Sequence, residues 1–247
     1  MPPHAQTILD HLRRLALPMA SDAALLARWT EQRDEVAFTA LVTRHGPMVL
    51  GVCRRVLGDV HMAEDVFQAV FPVLARKAAR VRRPEALASF LYGVALRLSR
   101  KARGAARRHR MQSHPEIPEP VDPHPHALDV LSGRELLALL DEEVARLPEV
   151  YRLPLLLCVL QGRTVEKAAR ALGWSIGSLR GRLARGREQL RERLTQRGLG
   201  LSVGTLVLLA PAVVPERLLA DSVRNLAGPA SAVVNALSLI HISEPTR

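Results

Sequence analysis

The sequence predicts an all-α protein: two small helical domains joined by a Pro-rich linker, the second ending in a helix-turn-helix. Three observations carry this. Ala- and Leu-rich text repeats its apolar residues at three- and four-residue spacing, with little β-branched alternation. Side-chain caps open most segments and glycines close them. A Pro-rich stretch at 111–127 breaks the helical texture once.

Residues 1–20 read as a flexible lead-in. Ser21 or Asp22 caps a first helix through Leu25, Leu26 and Trp29. Asp34 caps a second with Val36, Phe38, Leu41 and Val42. Its stripe runs on past Gly46-Pro47 through Met48, Val49, Val52, Cys53 and Val56, and Gly58 stops it. Asp59 caps a third holding Ala63, Val66, Phe67, Val70, Phe71 and Leu74. Pro84 interrupts a basic loop. A further helix then runs from Leu87 through Phe90, Leu91, Val94 and Leu98 into KARGAARRHR. These segments make a domain at 21–110.

The linker, 111–127, carries Glu116, Glu119 and Asp122 among its prolines, with His114, His124 and His126. It cannot bury apolar surface. Its histidines lack the structured partners of a metal site. The second domain spans 128–198. Leu136, Leu137, Leu140, Val144 and Leu147 form one helix ending before Pro148. VYRLPLLLCVL forms another, interrupted by Pro154 and closed by Gly162.

Thr164–Leu194 is the most informative stretch. Thr164 caps a short helix with Val165, Ala168, Ala169 and Leu172 on one face, and Gly173 ends it. Ser175 caps a second helix with an inner stripe of Ile176, Leu179, Leu183 and Leu190. Arg180, Arg182, Arg185, Arg187 and Arg191 fill its other faces. Two short helices, the second basic, suit a helix-turn-helix that lays a recognition helix in the major groove. An ordinary helical hairpin with solvated arginines is the plainer alternative.

The chain has 247 residues and a formal charge of +11, from 35 Lys plus Arg against 24 Asp plus Glu. That favours a polyanion partner, although a membrane surface would also attract it. Cys53 and Cys158 read as buried reduced thiols. No secretory signal opens the chain, so cytoplasmic residence is expected. No phosphate-cradling loop, nucleophile elbow or metal-ligand set marks an enzyme, so no catalytic residue, cofactor or small-molecule substrate is expected.

Residues 199–247 form a C-terminal extension, which reads either as a small helical tail packing on the domain or as the beginning of a longer extension. Leu201–Val214 is too short to span a bilayer and contains Pro211. The final LSLIHISEPTR, Leu237–Arg247, resembles translated sequencing-adapter text. The natural end is expected to differ, and these residues are assigned no role.

Two distant blocks carry a family resemblance. The text from Ala37 to Ala78, with ASFLYGVALRLSRKARGAARR at Ala88–Arg108, resembles the second region of bacterial extracytoplasmic-function sigma factors. LPEVYRLPLLLCVLQGRTVEKAARALGWSIGSLRGRLARGREQLRERL resembles their fourth region. The style is similar to the sets found in planctomycete-type bacteria.

The resemblance implies a factor that binds core RNA polymerase, reads the −10 and −35 promoter elements and initiates transcription. It leaves room for an anti-sigma partner. It also implies site residues. Glu64, Asp65, Phe67, Gln68 and Phe71 would dock on polymerase. Phe90, Tyr92, Arg97, Arg100, Lys101, Arg103 and Arg107 would serve the −10 element, with Arg80–Ala88 as the base-reading loop. Ser178, Arg180, Gly181, Arg182, Ala184 and Arg185 would face the −35 element. The acidic linker would approach the RNA exit path or act as a plain spacer. The rival reading is a stand-alone helix-turn-helix regulator, which needs neither the docking helix nor the basic one.

Overall fold

The computed structural model describes residues 20–113, 133–199 and 209–224. The lead-in, most of the linker with its three carboxylates and three histidines, and Leu237–Arg247 lie outside the described residues. Among the described residues every regular element is helical.

The local signals act where the sequence puts them. Helix α1 (Asp22–Gln32) starts at Ser21, whose hydroxyl accepts from Ala24 N. Helix α2 (Glu35–Leu57) starts at Asp34, which accepts from Val36 N and Ala37 N. It ends at Gly58 in the left-handed region, φ 67°. It runs unbroken through Pro47. Helix α3 (Val60–Lys77) is capped by Asp59. Two short 3₁₀ turns, Ala78–Arg80 and Pro84–Ala86, lead into α4 (Leu87–Ser113). Helices α2, α3 and α4 pack on one another around Phe38, Leu41, Val49, Phe67, Phe71 and Leu91, all fully buried. Among the described residues α2 is long and apolar enough to cross a membrane. Two thirds of its apolar window is buried inside the protein, so its apolar face is already covered.

The second unit comprises α5 (Gly133–Arg146), α6 (Glu149–Leu155), α7 (Val165–Leu172) and α8 (Ile176–Gln196). Pro154 does not break its segment. Helix α6 runs through Pro154 into one π turn, Leu156–Leu160. Gly186 of α8 is buried against α6. A Cβ there would lie 2.9 Å from the Tyr151 carbonyl oxygen, so glycine sets how closely the two helices approach.

The two units share one buried core, and polar contacts join them. Arg55 of α2 makes two bonds to Asp141 of α5: Nε to Oδ2 at 2.8 Å and Nη2 to Oδ1 at 3.0 Å. The Tyr92 hydroxyl of α4 donates to the Asp141 backbone oxygen at 2.8 Å and to Oδ1 at 2.9 Å. Burial alone would lower the Arg55 pKa, but Asp141 outweighs it and raises the value. Burial, reinforced by the Asp141 charge, pushes the Tyr92 hydroxyl well above its ordinary range.

A second junction runs through His45, also fully buried. His45 Nδ1 lies 2.8 Å from Gln161 Nε2, and its Nε2 lies 3.1 Å from Asp22 Oδ2. Arg44 closes on the other Asp22 oxygen at 2.5 Å. Burial alone would raise the Asp22 pKa, but His45 and Arg44 together hold it well below the usual carboxylate range.

The chain returns at 209–224. Its helix α9 (Glu216–Arg224) packs on α2 and α3 of the first unit. Both cysteines are free, and burial pushes the Cys53 thiol up to about 12.

Candidate nucleic-acid and polymerase interfaces

The helix-turn-helix is built from local chemistry. Thr164 accepts from Lys167 N at 3.3 Å, and the α7 helix buries Ala168, Ala169 and Leu172. Gly173, φ 65°, bonds back to the last carbonyls of α7 and reverses the chain. Ser175 then accepts from Ser178 N at 3.1 Å and opens α8. Leu179, Leu183, Leu190 and Leu194 hold α8 to the core. Ile176 corrects the expected inner stripe. It is 43% exposed, in the first turn of α8.

The outer face of α8 is open. Arg180, Gly181, Ala184 and Arg185 are exposed, and Ser178 is half-buried. A Cβ at Gly177 or Gly181 would meet nothing within 4 Å, so a surface could approach the backbone closely there. Arg180 comes within 3.7 Å of Glu166 on α7, across exposed side chains where such a pair contributes little. Arg182 lies over the Trp174 ring, 4.0 Å from its centroid. This stack fixes one guanidinium at the base of the open face. Trp174 was missed in the sequence. An aromatic in the turn just ahead of a basic helix was the available signal.

The second cationic surface centres on α4. A cleft of ≈ 630 Å³ lies among α4, the 3₁₀ turns and the start of α6. Lys77, Arg80, Arg82, Arg83, Arg97 and Arg152 contribute cations to its walls. Phe90 is half-buried and lines it. Arg100 is exposed at its edge, and Lys101, Arg103 and Arg107 follow along α4. The expected stacking role of Tyr92 is corrected here. Its ring is 1% exposed and its hydroxyl is held by Asp141, so it offers no face to a base in this arrangement.

The cleft has carboxylates of its own. Glu149 of α6 accepts from Arg83, and Glu142 of α5 accepts from Arg100 at 2.8 Å. Arg152 is held on the inner wall by Ser89 Oγ at 2.8 Å and by the Ala145 and Leu147 carbonyls at 2.6 and 3.1 Å. Burial lowers its pKa.

Helix α3 presents the third surface. Asp65 is exposed, and Glu64 and Gln68 are half-buried. Phe67 and Phe71 depart from the expected docking role. Both rings are fully buried, edge to face at 5.2 Å, because they sit on the α3 stripe that faces α2 and α4.

Residues 41–109 match the family described as Sigma-70 region 2, and residues 137–190 match Sigma-70, region 4. The chain is 30% identical over 162 residues to the RNA polymerase sigma factor CarQ of Myxococcus xanthus, covering 64% of this chain and 89% of CarQ. It is 30% identical over 180 residues to the ECF RNA polymerase sigma factor SigE of Mycolicibacterium smegmatis, covering 71% of this chain and 65% of SigE. It is 28% identical over 187 residues to the RNA polymerase sigma-H factor of Pseudomonas aeruginosa, covering 72% and 96%. The solved structure of CnrH in complex with the cytosolic domain of CnrY matches at TM-score 0.36 and 20% identity, over 72% of this chain and 99% of that one.

Proposed function

We infer the function of this chain from one premise: it belongs to the extracytoplasmic-function branch of the sigma-70 family. It is a sigma factor, a protein that joins core RNA polymerase, recognises promoter DNA and initiates transcription. Its partners are the core enzyme and the promoter. The observation that carries this reading is the pairing of the two matched blocks, in order, with two separate cationic surfaces. A stand-alone regulator has no use for the first block.

The residue roles are our proposal. Arg180 and Arg185 contact the −35 element from α8, with Gly181 and Ala184 allowing close approach and Ser178 bonding at its edge. Arg182, backed by Trp174, contacts the flanking backbone. A guanidinium aimed at a guanine edge discriminates by about 1–3 kcal/mol. Arg97, Arg100, Lys101, Arg103 and Arg107 grip the phosphates of the −10 strand, and Phe90 offers its stacking surface. Glu64, Asp65 and Gln68 meet the polymerase, on a helix face backed by Phe67 and Phe71. The domain limits 21–110 and 128–198 follow the same division, and the site of action is the bacterial cytoplasm.

Run-off transcription tests the reading. Core polymerase supplemented with this chain should produce discrete transcripts from promoters of its own genome neighbourhood. Unchanged output on every such promoter would reject it.

A further inference from the structure

Residues 209–224 belong to neither matched block, yet they are seated on the first unit. Leu209 is buried, and Ala212 N–H donates to the Pro47 carbonyl of α2 at 3.1 Å. The strand of chain runs over two glycines of that helix. A Cβ at Gly51 would lie 3.7 Å from Ala212 N. At Gly46 it would lie 3.5 Å from both Val214 Cγ2 and Leu219 Cδ2 and 3.6 Å from Phe67 Cζ. Three apolar side chains therefore converge over Gly46. Helix α9 then crosses α2 and α3 with Leu218 and Ser222 buried. At its outer edge Arg217 donates to both oxygens of Glu64, at 3.1 and 3.2 Å.

Glu64 belongs to the helix face assigned above to polymerase docking, and the buried Phe67 ring backs that face. We propose that segment 209–224 is an internal occupant of that surface, seated in the groove between α2 and α3 and displaced when polymerase binds. The groove fits an amphipathic helix that brings a cation to Glu64 and branched aliphatic side chains to Gly46. This rests on the sigma-factor reading and adds the regulation of its docking face.

The occupant is built to be lifted. Helix α9 buries Leu218 and Ser222 on the surface beneath it, and that packing supplies much of its stability. Its ion pair sits at the rim, 70% exposed at Arg217 and 13% at Glu64, so water reaches the cation. Val213 is 85% exposed, so part of the segment makes little contact. A cover seated about 90% of the time weakens apparent affinity about tenfold, and loosening it restores that factor.

The test uses the full chain and two full-chain variants, R217E and L219D, titrated against core polymerase. The first sets a carboxylate against Glu64, and the second places one over Gly46. Both should bind core polymerase about tenfold more tightly than the parent. Hydrogen exchange adds a direct readout: amides of 216–224 should lose protection in the parent when polymerase binds. Equal or weaker binding by the variants, or undiminished protection in the complex, would overturn the proposal. If L219D fails to fold, R217E at an exposed position decides alone. Failure of the parent and both variants to bind core polymerase at all would instead reject the sigma-factor reading, and this proposal with it.

Discussion

Replacing Asp141 by alanine should be among the most damaging single changes in the region joining the two units. Asp141 is fully buried and holds Arg55, which is 8% exposed, through two bonds. Removing the carboxylate strands the guanidinium without a counter-charge. Tyr92 keeps only the backbone oxygen. Breaking a buried pair in this way costs about 3–5 kcal/mol, which for a chain of this size lowers Tm by roughly 6–20 °C. Replacing both partners by apolar side chains, R55M with D141L, should recover most of the loss, because no charge is then buried alone. The two tryptophans give separate probes, since Trp29 lies in the first unit and Trp174 in the second. Urea unfolding followed by tryptophan fluorescence, in D141A and in versions keeping one tryptophan, reads both stability and coupling. The transitions should coincide in the parent and separate in D141A. A loss below about 1 kcal/mol, or a double variant as damaged as the single one, would refute the reasoning.

Other outcomes follow from the same geometry. Gly181→Ala should stabilise α8 by up to about 1 kcal/mol, because alanine favours the helix and the site is open, while weakening duplex binding by filling the approach; denaturation and duplex titration check the two halves. Gly186→Ala should lower Tm despite the same helix gain, because its Cβ would press on the Tyr151 carbonyl at 2.9 Å, and a raised Tm would contradict the packing. Asp22 is held below its model-compound value of 3.8, so its contribution is complete above about pH 4 and is lost as pH falls toward its folded pKa. Thermal scans from about pH 6 to pH 3 should therefore show a steeper acid loss in the parent than in D22N. Alkylation of the folded protein should modify half-buried Cys158 before Cys53, and the reverse order would contradict the burial of Cys53.

What the sequence disclosed was local. Ser21, Asp34, Asp59, Thr164 and Ser175 cap helices through bonds to residues two or three positions away, so the signal and its target sit together. The open arginine face of α8 was legible for the same reason. The Arg55–Asp141 pair was not, because its members are 86 residues apart and each reads as an ordinary surface charge. Phe67, Phe71 and Tyr92 show the same limit. Helical spacing gives a direction around the axis, but not which side another helix will cover. Pro154 looked like a breaker, yet α6 runs through it into a π turn while packed against α8, a partner further along the chain that local spacing does not reveal. A small helical tail packing on the domain was one reading of the extension, but nothing in ERLLADSVR pointed to α2 and α3 as its seat.

The ion pairs of Arg83 with Glu149 and Arg100 with Glu142 have a consequence for ionic strength. A cation that reaches a phosphate from water releases a condensed counterion from the DNA, and that release makes affinity fall as salt rises. Two arginines of this cleft are already paired with tethered carboxylates, whose effective concentration does not change with the buffer. Exchanging a tethered anion for a phosphate makes the protein's own acidic groups part of the reaction, and these repel the incoming strand until they are moved aside. The chain's grip on the upstream strand would then depend on salt less steeply than its count of positive side chains implies, with the acidic side chains serving as a built-in electrolyte.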